Sequence, residues 1–330
     1  MDVSWNFDTL LRPPNTYPAP GFKAEGADAI FYDGPAWQGQ ATRVFAWIGF
    51  PILQASEICP GMVLVHGGGG TAFDDWVRIW TSRGYAAIAM DLCGCVPQEP
   101  EMPPNAERPR HPFAGPPGWD ASFKQIDEPV EDQWQYHAIS DIVLAHSLLA
   151  SYPQVDSRRI GITGISWGGY LTCITAGVDS RFRFAVPVYG CGFLGDNSAL
   201  KHELEALESV RMRRWLDLWD PSVYLPQARM PMLWVTGTND FAFPLDSLQR
   251  SYRLPPGERT LCIQVEMPHG HGPGQMPEEI RVFADSHLRG SPSLARITEC
   301  GIDGRTLWVS FSSARPVVRA ELAYTRALGH

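Results

Sequence analysis

With 330 residues, 44% hydrophobic and 19% charged, the chain has the composition of a soluble globular protein with a large core. It is long enough for one large α/β domain with an appendage, or for two smaller domains. A formal net charge of −9 and a pI near 5.5 argue against nucleic acid or an anionic membrane as partner, and no apolar run reaches the ~18 residues of a membrane helix.

The start, Met1-Asp2-Val3-Ser4-Trp5-Asn6, has neither a basic nor an apolar region of the kind a secretory leader carries. The compartment stays open between cytoplasm and secretion with a leader removed. Residues 1–27 are rich in Pro, Asn and Gly and read as a wrapping around the outside of the domain. Residues 29–32 and 43–50 read as edge strands, with a turn at Asp33-Gly34-Pro35. Residues 61–65 form a strongly apolar strand that runs into His66-Gly67-Gly68-Gly69-Gly70. A helix over 73–83 follows, with Trp76, Ile79 and Trp80 on one face, then a buried strand over 85–90 ending at Asp91. The unit is a βαβ crossover. Its glycine loop is not a phosphate-binding loop, because no Lys-Ser or Lys-Thr follows and the spacing is not G-x-G-x-x-G. His66, at the end of a buried strand, reads as structural.

Cys93-Gly94-Cys95 lacks a second ligand pair for zinc, and seven cysteines, an odd number, do not suggest a disulfide scaffold. The Pro-rich stretch 96–130 breaks the rhythm of strands and helices. A loop of this length reads as a lid or rim over a site, with Trp119 and Phe123 as substrate-facing aromatics. The twelve tryptophans are more than a core asks for, and some are expected to line a pocket.

A long helix over 131–151 leads to an apolar strand and then to Gly164-Ile165-Ser166-Trp167-Gly168-Gly169-Tyr170, followed by a small apolar helix. Strand, sharp turn with Ser at its tip, and helix make a nucleophile elbow, G-x-S-x-G. The glycines permit a tight turn that lifts the Ser166 hydroxyl clear of the sheet edge, and the helix start offers free N–H groups to an anion. Strands are expected over 184–188, 230–236 and 259–266, with a charged helix over 198–219. In that helix Trp215 and Trp219 stand at i, i+4. The pair reads as core packing, and alternatively as part of a substrate rim. The strand over 230–236 ends near Asp240, and the next ends in Met267-Pro268-His269-Gly270-His271. A helix over 278–288 closes the main body. Beyond Gly290 three short β-like runs, 295–298, 306–311 and 317–324, form an appendage over 291–330.

The elbow residues resemble those of the α/β-hydrolase superfamily, and most of all its acetyl xylan esterase, dienelactone hydrolase and prolyl-oligopeptidase branches. The resemblance covers about residues 40–290. It implies a doubly wound, mostly parallel sheet and a serine-hydrolase triad in the chain order Ser166, Asp240, His271. Two histidines compete for the base. In the acetyl esterase and dienelactone branches the catalytic His usually follows a Gly, which favours His271 and leaves His269 to brace the loop. The resemblance places oxyanion donors at the N–H groups of Gly68 and Trp167. It implies no metal or organic cofactor. The expected substrate is a small-molecule or carbohydrate ester with a short acyl group, and Trp119 and Trp215 are the expected substrate contacts. Two alternatives stand beside this: a serine peptidase of the prolyl-oligopeptidase type, and a catalytically silent hydrolase scaffold serving as a binding module. Dienelactone hydrolases carry Cys at the elbow, where this chain has Ser166. Oligomeric state is not legible.

Overall fold

Two strands, β4 (Cys59–Val65) and β5 (Ala86–Met90), are buried at every residue. Continuous apolar runs of this kind belong to strands covered on both faces, as in a parallel sheet with helices on either side. In the computed structural model, which describes residues 3–97 and 108–324, they lie near the middle of a nine-stranded sheet. The remaining strands of that sheet are β1 (Thr16–Pro18), β2 (Asp28–Trp37), β3 (Gln40–Gly49), β6 (Val155–Ile165), β7 (Ala185–Val188), β8 (Met232–Gly237) and β9 (Arg259–Gln264). Their order is β1-β2-β3-β5-β4-β6-β7-β8-β9. The first three strands and the β3–β5 pairing are antiparallel, and from β5 to β9 every pairing is parallel. This is the mostly parallel, doubly wound sheet expected.

The register sets where chemistry can occur. Val65 lies opposite Met90 on one side and Gly164 on the other, and Ile165 lies opposite Val188. The carboxyl ends of β4, β5, β6 and β7 therefore finish on one level. The glycine loop, Asp91, Ser166 and Tyr189 all leave the sheet there, along the edge where open α/β sheets place ligands. The helix Trp134–Ser151 packs on the sheet, and all its residues from 134 to 149 are buried. A helix enclosed on all sides needs a second cover, and the N-terminal segment provides one. The Ser147 hydroxyl donates to Leu10 O at 2.7 Å, and Trp5 stacks on Tyr136 at 5.1 Å.

Several local expectations need correction. Asp33-Gly34-Pro35 is not a turn. β2 runs through it to Trp37, and the hairpin turns at Gln38-Gly39, where φ is +49° and +75°. Pro35 is tolerated because the β2–β3 register shifts between Gly34 and Trp37, where no ladder N–H is needed. The charged helix breaks into Lys201–Glu205 and Ser209–Trp219. Residues 119–127 form 3₁₀ turns that bury Ser122, Phe123 and Ile126, so that part of the long loop is packed; 98–107 lie outside the described residues. At the C-terminal end β10 (Arg296–Asp303) and β11 (Thr306–Ser312) form a separate antiparallel hairpin. The run 317–324 is not a strand. Among the described residues no helix is long and apolar enough to cross a membrane.

Candidate active site

Ser166 sits between β6 and the helix Trp167–Val178 with φ +59° and ψ −118°, a conformation that costs an L-residue energy and marks a held, strained turn. Glycine makes that turn possible. A Cβ on Gly164 would lie 2.2 Å from Gly168 O, and one on Gly168 would lie 2.0 Å from Val65 O. The strand, the helix and the end of β4 are thus pressed together at the elbow. The Ser166 N–H donates to Val188 O at 2.9 Å, which ties the turn to β7.

The hydroxyl meets His269, not His271. Ser166 Oγ lies 2.8 Å from His269 Nε2, and His269 Nδ1 lies 2.8 Å from Asp240 Oδ2. The carboxylate is itself fixed, since Asp240 Oδ1 accepts the N–H groups of Ala242 and Phe243 at 2.9 and 2.8 Å. With Asp240 an acceptor, Nδ1 carries the imidazole proton and Nε2 is free to accept the Ser166 O–H. The three side chains brought together are Ser166, Asp240 and His269.

His271 is the correction. Gly270 is extended, and His271 opens the short helix His271–Gln275, turned away from the elbow. Its ring stacks on Phe73 at 3.7 Å and meets Trp76 edge-on at 4.8 Å. Neither ring nitrogen has a hydrogen-bond partner among the described residues. Burial, and after it the proximity of His66, pushes the imidazole pKa down to about 3. It is a neutral packing residue under the glycine loop.

That loop closes over the serine. A Cβ on Gly67 would lie 3.0 Å from Ser166 Cβ, and one on Gly68 would lie 2.7 Å from Trp167 Cδ1. Neither the Gly68 nor the Trp167 N–H is used in a hydrogen bond among the described residues. His66 holds the loop base. It donates from Nδ1 to Gly67 O at 2.9 Å and accepts the Leu92 N–H on Nε2 at 3.1 Å. Burial first of all lowers its pKa to about 4, in keeping with a neutral, fully engaged ring.

Asp91 anchors the next turn. Its Oδ1 accepts the N–H groups of Cys93 and Cys95, and its Oδ2 pairs with Arg108 at 2.5 Å. Burial works to raise this carboxyl, but Arg108, His66 and the two N–H groups more than reverse it and hold it below the ordinary value.

Of the aromatic residues expected to meet substrate, Trp119 is partly exposed, edge-on to His66 at 5.3 Å and 6.0 Å from Trp167. Trp215 and Phe123 are not on the rim. Both are buried and stack on each other at 4.9 Å, beneath Trp167 and Tyr170. With Trp134 they form an aromatic block that supports the elbow from behind, which accounts for much of the tryptophan excess.

One residue escaped the sequence. Tyr189, at φ +65°, donates its hydroxyl to Pro268 O at 2.6 Å, and its ring lies 4.4 Å from that of His269. It braces the histidine loop. Its only signal in sequence was an aromatic residue just past a strand end. Among the described residues no group of three His, Cys, Asp or Glu side chains could hold a metal ion.

The sequence and the fold are similar to those of known proteins. The model of the acetyl xylan esterase (AXE1) family matches residues 30–206, a span that includes Gly68, Ser166 and Trp167 and stops short of Asp240 and His269. Among solved structures, the acetyl xylan esterase from Paenibacillus sp. R4 aligns with a TM-score of 0.66 at 21% identity, over 86% of this chain and 92% of that one. Acetyl xylan esterase 1 from Thermoanaerobacterium sp. JW/SL YS485 aligns at 0.61 and 17%, over 80% and 87%. The acylaminoacyl peptidase of Pyrococcus horikoshii aligns at 0.59 and 19%, over 81% of this chain and 42% of the peptidase. A curated relative, the uncharacterized peptidase YuxL of Bacillus subtilis (strain 168), is 24% identical over 229 residues. These are 63% of this chain, which spans only 30% of that relative's length.

Proposed function

The chain belongs to the acetyl xylan esterase family, and on that premise we propose that it hydrolyses short acyl esters of carbohydrates, acetyl above all, through an acyl-enzyme on Ser166. The observation that carries this reading is the unbroken row Ser166 Oγ, His269 Nε2, His269 Nδ1, Asp240 Oδ2, with 2.8 Å at each hydrogen bond. Ser166 Oγ attacks the ester carbonyl carbon while His269 Nε2 takes its proton. Asp240 holds the imidazole in the required tautomer and stabilises the imidazolium that forms. The carbonyl oxygen, now an anion, accepts the N–H groups of Gly68 and Trp167 at the start of the Trp167–Val178 helix, where the helix dipole favours negative charge. The tetrahedral species collapses, the C–O bond breaks, and His269 returns the proton to the leaving alcohol. Water, deprotonated by the same imidazole, attacks the acyl-enzyme and releases the carboxylic acid and Ser166. Trp119, partly exposed beside the glycine loop, supplies an apolar wall for the substrate.

A second reading, amide hydrolysis, draws support from the shared fold with acylaminoacyl peptidase and from the curated peptidase relative. Rates on acetyl, butyryl and octanoyl esters and on acetylated xylan, set beside a prolyl amide, separate the two. Acetyl esters are expected to be cleaved best. Efficient amide cleavage would move the protein to the peptidase reading, and a fluorophosphonate that fails to label Ser166 would leave only a silent scaffold.

A further inference from the structure

A recess lies towards the same edge of the sheet as Ser166. β3 is antiparallel to β5 with Ala46 opposite Met90, and β2 pairs with β3 with Asp33 opposite Arg43. The tip of this hairpin therefore projects past the carboxyl ends of the parallel strands, on the side where the nucleophile stands. There the N-terminal segment, the 33–36 stretch of β2 and the entry to the Trp134–Ser151 helix enclose a cavity of about 490 Å³. That size suits a small-molecule or single-sugar site.

The lining is mixed, with more apolar than polar surface. Its polar residues include Asp8, Arg12, Asn15, Asp33 and Glu131, and Tyr136 is among its apolar ones. Asp33 is preset, because its Oδ2 accepts from Asn15 Nδ2 at 2.9 Å and from the Tyr17 hydroxyl at 3.3 Å. The side chains of Asp8, Arg12 and Glu131 make no hydrogen bond or ion pair among the described residues. Three carboxylates against one guanidinium disfavour a phosphate or another anion. The carboxylates do not converge as a metal site would require among the described residues. A ligand whose neutral groups both donate and accept hydrogen bonds fits this set, and sugar hydroxyls are such groups.

The spacing adds a direction. From β2 to β6 the order is β2-β3-β5-β4-β6, four strand spacings or about 19 Å. Two aromatic rings bracket Arg43, the β3 residue opposite Asp33. The Arg43 guanidinium sits 3.6 Å from the Tyr17 ring centre and 4.2 Å from that of Phe113, which is 44% exposed. Flat aromatic faces of this kind pack against the C–H faces of sugar rings.

We propose that the recess is a distal subsite for the sugar chain that carries the ester, so that a chain several units long spans from Ser166 to the Asp33–Glu131 wall. The proposal rests on the ester-hydrolase reading above and extends it to polymeric carbohydrate. The test compares the full chain with Arg12→Ala/Glu131→Ala, both exposed positions, on three substrates: p-nitrophenyl acetate, acetylated xylobiose and acetylated xylohexaose. The two short substrates do not reach the recess, and their kcat/KM should stay within about twofold. That for the hexaose should fall about tenfold through KM, the worth of one charge-assisted hydrogen bond. An unchanged rate on the hexaose, or equal losses on all three, would overturn the proposal. If the unmodified protein hydrolyses none of the three, the esterase reading fails by itself, and calorimetry with unacetylated xylohexaose decides the recess. Binding that weakens about tenfold in the double variant upholds it; no binding, or equal binding, overturns it.

Discussion

The same substitution two residues apart is expected to have opposite outcomes: His269→Phe and His271→Phe. His271 lies against Phe73 and Trp76 with both ring nitrogens buried and unpaired. Its pKa, ordinarily 6.5, is held at about 3 by burial first and by His66 second. When the pH falls below 6.5, the unfolded chain takes up a proton at this position and the folded chain does not. Stability is therefore complete above 6.5 and declines as the pH drops towards 3, by about 2 kcal/mol at pH 5. Phenylalanine cannot take that proton. It also removes the unpaired nitrogens, worth about 1–3 kcal/mol, at some cost in added volume. The volume cost is the same at any pH, so the useful quantity is the difference between two melts. Relative to the unsubstituted protein, Tm of His271→Phe should be higher at pH 5 than at pH 8 by roughly 3 °C. Ester turnover should stay within about tenfold. His269→Phe removes the group that accepts the serine proton and should lower kcat by about 10⁴ or more. Melts by circular dichroism and turnover of p-nitrophenyl acetate measure both. A folded His271→Phe without activity, or a Tm difference that ignores pH, would refute the reasoning.

Ser166→Ala should abolish ester hydrolysis and fluorophosphonate labelling while leaving the far-ultraviolet spectrum unchanged. Asp240→Asn keeps the shape but takes away the acceptor for the His269 Nδ1 proton, and kcat should fall by about 10⁴. Gly68→Ala pushes a methyl to 2.7 Å from the Trp167 ring and displaces a proposed oxyanion donor; kcat should drop about 10²–10³ with little change in KM. Arg108→Ala strands the buried Asp91 carboxylate and should lower unfolding stability by about 3–5 kcal/mol in urea melts at neutral pH. The carboxyl is depressed in the fold, so its stabilising contribution is present above the ordinary value and lost as pH falls through the folded one. The loss caused by Arg108→Ala should therefore shrink in acid.

The parallel centre of the fold was legible because its signal is local and redundant. β4, β5 and β8 are short apolar runs buried at every residue, and each reaches a glycine or aspartate at or just past its end: Gly67, Asp91 and Gly237. The errors fell where tertiary context overrides local propensity. Pro35 and Gly34 look like turn residues, yet the register shift beside them lets β2 continue. Phe123 reads as a substrate-facing aromatic, yet the 3₁₀ turns at 119–127 fold it under Trp167. Trp215 and Trp219 share a helix face, and nothing in that spacing distinguishes a core from a rim. The structure closes both into the interior.

The site was legible to the level of residue type and chain order, and not to the level of which imidazole. Ser166 announces itself because strain demands a particular glycine pattern, and Asp240 because the end of β8 is where an acid can reach the sheet edge. His269 and His271 are separated by one glycine, and their roles depend on which way the chain leaves that glycine. The decisive contacts come from far along the sequence. Tyr189 holds Pro268 by its carbonyl and faces His269 with its ring, while Phe73 and Trp76 form the slot that accepts His271. An apolar aromatic slot favours a neutral imidazole, as at His271, whereas His269 has a hydrogen-bond partner at each ring nitrogen, Ser166 and Asp240. The two histidines are thus sorted by the electrostatics of their surroundings. Exchanging them would bury the imidazolium of the reaction among aromatic rings with no carboxylate to meet it.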